Sequence, residues 1–142
     1  MINYSNDLLR GLSGDDWVCD GIVTAAAFQL KFEPQFMKNE CVAHSICWED
    51  DTLVVDLMMK QKKTNDPEIV QYKAGIARYS RESIDRIIKS PAFMGILSYD
   101  REPLEGNPYH GNLLTKRTLS NTQKKLLPGV IATQFSEIIS RK

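Results

Sequence analysis

His110 is one of only two histidines in the chain, and its type suits it to chemistry at neutral pH. An imidazole with an ordinary pKa of about 6.5 can accept or release a proton there, so it could act as a general base. Asp100, Glu102 and Glu105 precede it closely and are the carboxylates that could orient it. In an enzymatic reading, the catalytic group is His110 with Asp100 and Glu102, in a small hydrolase or transferase. Against that reading, no serine, cysteine or second histidine stands nearby in sequence to complete a triad. The same ring can instead hydrogen-bond the backbone of the turn at 105–108 and lock a loop onto a sheet. The sequence favours that structural role.

Cys41, His44 and Cys47 form C-x-x-H-x-x-C, a spacing that invites a zinc site with Cys19 as fourth ligand. Strand periodicity argues against it. On a strand Cys41 and Cys47 share one face and His44 takes the other, so the three cannot close on one tetrahedral ion. Glu49, Asp50 and Asp51 lack calcium-loop spacing, and a helix dipole accounts for acids at that place. Neither G-x-x-x-x-G-K-[ST] nor G-x-G-x-x-G occurs, which argues against P-loop hydrolysis and Rossmann-type cofactors. No metal and no cofactor is expected.

The segment around His110, residues 99–114, is dense in conformationally special residues: Pro103 and Pro108, Gly106 and Gly111, Asn107 and Asn112. Asn107 precedes a proline and is pushed toward extended backbone, while the glycines permit angles that other residues resist. A loop shaped this closely on a plain scaffold is where recognition is commonly placed. If it binds, Tyr99, Arg101, Glu105, Asn107, Tyr109, His110 and Asn112 are the contact residues.

The elements that must position this loop follow from hydrophobic spacing. Residues 6–12 hold a short helical pattern, and Trp17 should pin that arm to the body. Residues 22–32 and 42–48 read as strands, the second with Val42, His44, Ile46 and Trp48 on one face. Thr52 should cap a helix carrying Leu53, Val54, Leu57 and Met58 inward. Residues 70–79 alternate as a strand, and Ser80 caps a helix striped by Ile84, Ile87 and Ile88. Residues 93–99 are apolar on both faces, as a central strand would be. Residues 109–115 form a short strand, and a terminal helix runs over about 121–140, broken at Pro128. The order predicts one α+β domain over residues 1–142: a mainly antiparallel sheet of about five strands with helices packed on one face.

Composition is that of an ordinary globular chain, with 42% hydrophobic and 25% charged residues among 142. No apolar run is long enough for a membrane span, the first residues lack a signal peptide's pattern, and three cysteines do not make a disulfide framework. A cytoplasmic protein is expected. The net charge of zero hides a division: residues 115–142 hold six basic residues against one acid, or +5, so residues 1–114 carry −5. Lys116, Arg117, Lys124 and Lys125 could serve a nucleic-acid partner, although no aromatics are interleaved with them in sequence.

Two stretches carry resemblances. Tyr109–His110–Gly111 resembles the first motif of ADP-ribosyltransferases, but most of that family's catalytic core follows the motif, and only 32 residues follow His110 here. That family is rejected. T-A-A-A-F (residues 24–28) and P-L-E-G-N-P-Y-H-G-N-L (residues 103–113) resemble a scattered group of small bacterial proteins. These share an early AAF strand and a late proline, a short polar gap, then N-P-x-H and a small residue. The resemblance implies an accessory, immunity-like or defence-associated subunit. Its partner would be another protein, such as a larger subunit or a toxin, or a second copy of the chain.

Overall fold

The computed structural model describes residues 3–4, 6–50, 52–63 and 65–140 and, of Thr52, only the backbone. In chain order the elements are β1 (Leu8–Gly11), β2 (Val18–Cys19), β3 (Ile22–Val23), β4 (Met37–Lys38), β5 (Cys41–Trp48) and α1 (Thr52–Lys60). They continue with β6 (Lys62–Lys63), β7 (Asp66–Val70), β8 (Ile76–Tyr79), α2 (Arg81–Lys89), β9 (Leu97–Arg101), β10 (His110–Lys116), α3 (Asn121–Ala132) and β11 (Phe135–Ile139). The main sheet runs β11-β8-β1-β5-β10-β9, with β4 added beside β5, and all its pairings are antiparallel. The α+β reading holds, with seven strands in the sheet instead of about five.

The longest ladder joins β5 to β10, from His110 opposite Cys47 to Lys116 opposite Cys41. Strand alternation then sorts every side chain to a face. One face carries Leu8, Ile46, Trp48, Ala77, Tyr79 and Leu113 into the larger core, where Ile84 and Ile87 of α2 and Leu127 and Ile131 of α3 cover it. The opposite face carries Leu9, Cys47 and Ile76 into a smaller cluster under Val54 and Met58 of α1. Helices therefore lie against both faces. Each fully buried leucine or isoleucine here contributes about 1.5–3 kcal/mol.

Several expectations are corrected. Residues 6–12 hold a strand, because Leu8 and Leu9 are claimed by opposite faces of the sheet and not by one helical stripe. The strand expected at 22–32 stops at Val23, and Ala25–Phe28 forms a single 3-10 turn that buries Ala27 and Phe28 on the larger core. The strand expected at 70–79 is broken by a turn ending at Gly75, whose φ is +105°, so β8 begins at Ile76. Residues 93–96 are turn, and β9 lies at the sheet edge, not its centre.

The terminal helix ends at Ala132 with Pro128 inside it, and Phe135–Ile139 returns as an edge strand against β8. The start of α1 is as expected, but Leu53 is 63% exposed, and the Thr52 side chain, expected as its cap, lies outside the described residues. Among the described residues Ser80 makes no side-chain cap bond; the Asp7 carboxylate accepts from the Arg81 N–H instead. Ser120 does cap α3, in a reciprocal box with Gln123. Glu49 forms a two-pronged pair with Arg78 of β8 at 2.7 and 2.6 Å, a role more specific than the dipole reading; Asp51 lies outside the described residues.

Candidate functional site

The segment around His110 is fastened from within. Leu104 and Asn107 exchange backbone hydrogen bonds at 3.0 and 2.9 Å, closing a turn over Glu105 and Gly106, whose φ is +78°. Asn107 is buried; its amide donates to the Cys47 sulfur at 3.4 Å, and its carbonyl oxygen accepts from the Tyr109 N–H at 3.2 Å. His110 is also buried, and its Nδ1 bonds the Glu102 carbonyl at 2.9 Å. Because a carbonyl only accepts, Nδ1 carries the proton. The predicted backbone bond is present, one strand away from the turn expected to receive it.

Asp100, Glu102, His110 and Asn112 share one face of the β9–β10 ladder. Lys38, from the β4–β5 hairpin, bonds both carboxylates, and the Asn112 amide donates to each at 3.3 and 3.4 Å. Hydrogen bonding to Lys38 holds both carboxyls below their usual range. These groups stay ionised at neutral pH, and what the bonds add to stability is lost as pH falls through the depressed values. The arrangement is an ion-pair network, and the Glu102 carboxylate also lies 3.6 Å from His110 Nδ1.

The other predicted contact residues separate. Tyr99 and Arg101 stand on the opposite face of β9: Tyr99 donates to the Asp85 carboxylate at 2.8 Å beneath Arg81, and the Arg101 guanidinium lies 3.8 Å from the Tyr4 ring centre. Tyr109 packs on the smaller cluster, and Glu105 is exposed at the turn. Beside that turn is a groove of about 290 Å³ lined by Leu57, Lys60, Gln61 and residues 104–107. Leu104 is 45% exposed there, and Leu53 stands one helical turn before Leu57 on the same side of α1.

The basic tail is not bare of aromatics in space. Arg117 and Lys124 lie 6.0 and 5.2 Å from the ring centre of Phe32, with Lys116 and Lys125 exposed. Cys41, His44 and Cys47 sit on β5 with His44 on the opposite face from the cysteines, as periodicity requires.

A second site lies around Arg10, outside the candidate residues above. β1 and β5 pair only at Leu8–Trp48 and Leu9–Cys47. Beyond that the strands part, and a cleft of about 300 Å³ opens between them. Arg10 bridges the parting: Nη1 donates to the Ser45 carbonyl at 2.8 Å, and Nε and Nη2 donate to the Ala27 carbonyl at 3.2 and 2.6 Å. Its guanidinium also lies 4.8 and 5.1 Å from the ring centres of Trp17 and Phe28. Burial pulls Arg10 down to about 10, so it remains charged at neutral pH. His44 lines the same cleft with Nε2 on the Gln29 carbonyl at 3.0 Å, while its buried Nδ1 meets no partner among the described residues. The signal that could have marked this place was an arginine inside the apolar run L-L-R-G-L.

Comparison with protein-family models, with curated proteins and with solved structures finds no match to the chain.

Proposed function

We propose that the protein is a binding module: an accessory, immunity-like subunit of a bacterial system that works in the cytoplasm and engages another protein. The observation that carries this reading is the turn at 104–107, held rigid by two buried polar side chains while presenting Leu104 beside Leu57 of α1. A preformed apolar ridge costs little ordering entropy on docking. The Lys38 network supports binding over turnover, since its ion pairs engage both carboxylates that His110 would need for acid–base work. Asn107, His110 and Asn112 are buried, so they shape the surface, while Leu104, Glu105 and Leu53 touch the partner.

Leu104→Asp and Leu53→Asp should each weaken partner capture from host lysate at least tenfold, with melting temperature unchanged. Mass spectrometry identifies the captured protein, and sedimentation reports whether it is a second copy of the chain. Capture that survives both substitutions would discard this ridge as the interface. A second reading, nucleic-acid binding, is favoured by the Phe32 ring beneath Arg117 and Lys124. It requires salt-sensitive oligonucleotide binding that disappears in a Lys124→Glu, Lys125→Glu variant.

A further inference from the structure

We propose that the cleft between β1 and β5 binds a small organic oxyanion, a carboxylate or a phosphate ester, carried on a flat apolar body. This site is separate from the ridge above and does not depend on it.

Arg10 is a buried cation without a countercharge among the described residues. It is 7% exposed, and its partners are two carbonyls and two aromatic faces. A buried charge is costly unless an opposite charge or a full hydrogen-bond set offsets it. Three of its five N–H groups are engaged, which leaves donors for a ligand. The lining repeats the same sign: Lys31 joins Arg10, and none of the described lining residues is acidic. Field lines in a cleft of one charge sign converge on an anion.

The rest of the lining sets the ligand's body. Trp17, Phe36 and Tyr72 supply aromatic faces around a space of about 300 Å³, at the small end of ligand pockets. His44 completes the polar side of the lining: it is 5% exposed, and its Nε2 proton is committed to the Gln29 carbonyl. A flat ring bearing an oxyanion fits this lining.

The test uses the full chain, with 15N NMR following the Trp17 and Trp48 indole N–H signals. Benzoate and phenyl phosphate are the two anionic probes, and benzamide is the neutral isostere. The expected result is a saturable shift of the Trp17 signal, with affinity of about 1 mM or better for a fragment of this size. Trp48, buried in the larger core, should stay still. Saturation by benzoate alone assigns the site to carboxylates, and by phenyl phosphate alone to phosphate esters. Arg10 is also structural, so the decisive variant is Lys31→Glu, at an exposed position, which should weaken binding about tenfold or more without changing the melting temperature. The proposal is overturned if neither anion saturates, if benzamide binds equally well, or if Lys31→Glu binds like the parent chain.

Discussion

Gly111→Ala should be among the most damaging single substitutions in the chain, costing about 3 kcal/mol. A Cβ at Gly111 would lie 2.1 Å from Cζ3 of Trp48 and 2.4 Å from the Asp100 carbonyl oxygen. Neither neighbour can yield. The Trp48 ring is 1% exposed and edge-packed by Tyr4 and Tyr99, and the Asp100 carbonyl belongs to the adjoining strand. The backbone angle is not the reason, since Gly111 sits in ordinary strand conformation. Gly106→Ala provides the contrast: φ there is +78° and nothing lies within 4 Å of the added carbon, so the cost is left-handed strain alone, about 1 kcal/mol. Urea denaturation followed by circular dichroism measures both. Pairing Gly111→Ala with Trp48→Leu should recover part of the loss as a favourable coupling. If Gly111→Ala falls within 1 kcal/mol of Gly106→Ala, the close packing of Trp48 on β10 is wrong.

That contrast also shows why part of the loop was legible and part was not. Both glycines stand out in the sequence, and the φ argument is correct for Gly106. It is wrong for Gly111, because what excludes a side chain there is a ring from β5, 63 residues earlier in the chain. The same division runs through the fold. β5 and β10 alternate over seven or eight residues, long enough for periodicity to settle type and face. β1 has four residues, all buried, so it carries no alternation to read. β11 follows α3 after only Thr133 and Gln134, and its Ile138 and Ile139 fit a continued helical stripe as well as a strand. Only the free edge of β8 decides between them.

Among the candidate site residues, proximity in sequence is only a partial guide to arrangement in space. Asp100, Glu102 and His110 do come together, but Lys38 enters from a different hairpin and bonds both carboxylates. The Arg10 cleft arises because β1 leaves β5 to follow β8, with the Leu12 N–H donating to the Gly75 carbonyl and the Ala74 N–H to the Leu12 carbonyl. A strand divergence of that kind is a property of the sheet and leaves no mark in local spacing.

The second large effect concerns His44 and acid. Desolvation, reinforced by the charge of Arg10, lowers its pKa from 6.5 to about 3, while the Gln29 carbonyl favours protonation only weakly. Phe28 packs edge-on at 5.5 Å and gives a proton no support. The unfolded chain therefore binds a proton at this ring below pH 6.5 that the folded chain refuses until about pH 3. Stability is complete above the ordinary value and declines as pH falls through the window, by about 1.4 kcal/mol per pH unit. Between pH 7 and pH 5 the loss should reach about 2 kcal/mol, before Asp100 and Glu102 begin to titrate at lower pH. Urea midpoints measured across that range test it against His44→Gln, which keeps a donor for the Gln29 carbonyl but cannot be charged. The variant should lose most of the pH slope, and an unchanged slope would mean that His44 is protonated as readily in the fold as in water. Arg10→Met should leave the onset of the decline near pH 6.5, which the unfolded chain sets, and shift its acid end to higher pH, because removing the neighbouring cation lets the folded His44 accept its proton more easily and narrows the gap. That shift ties the ring to the guanidinium that faces the cleft, and its absence would separate them.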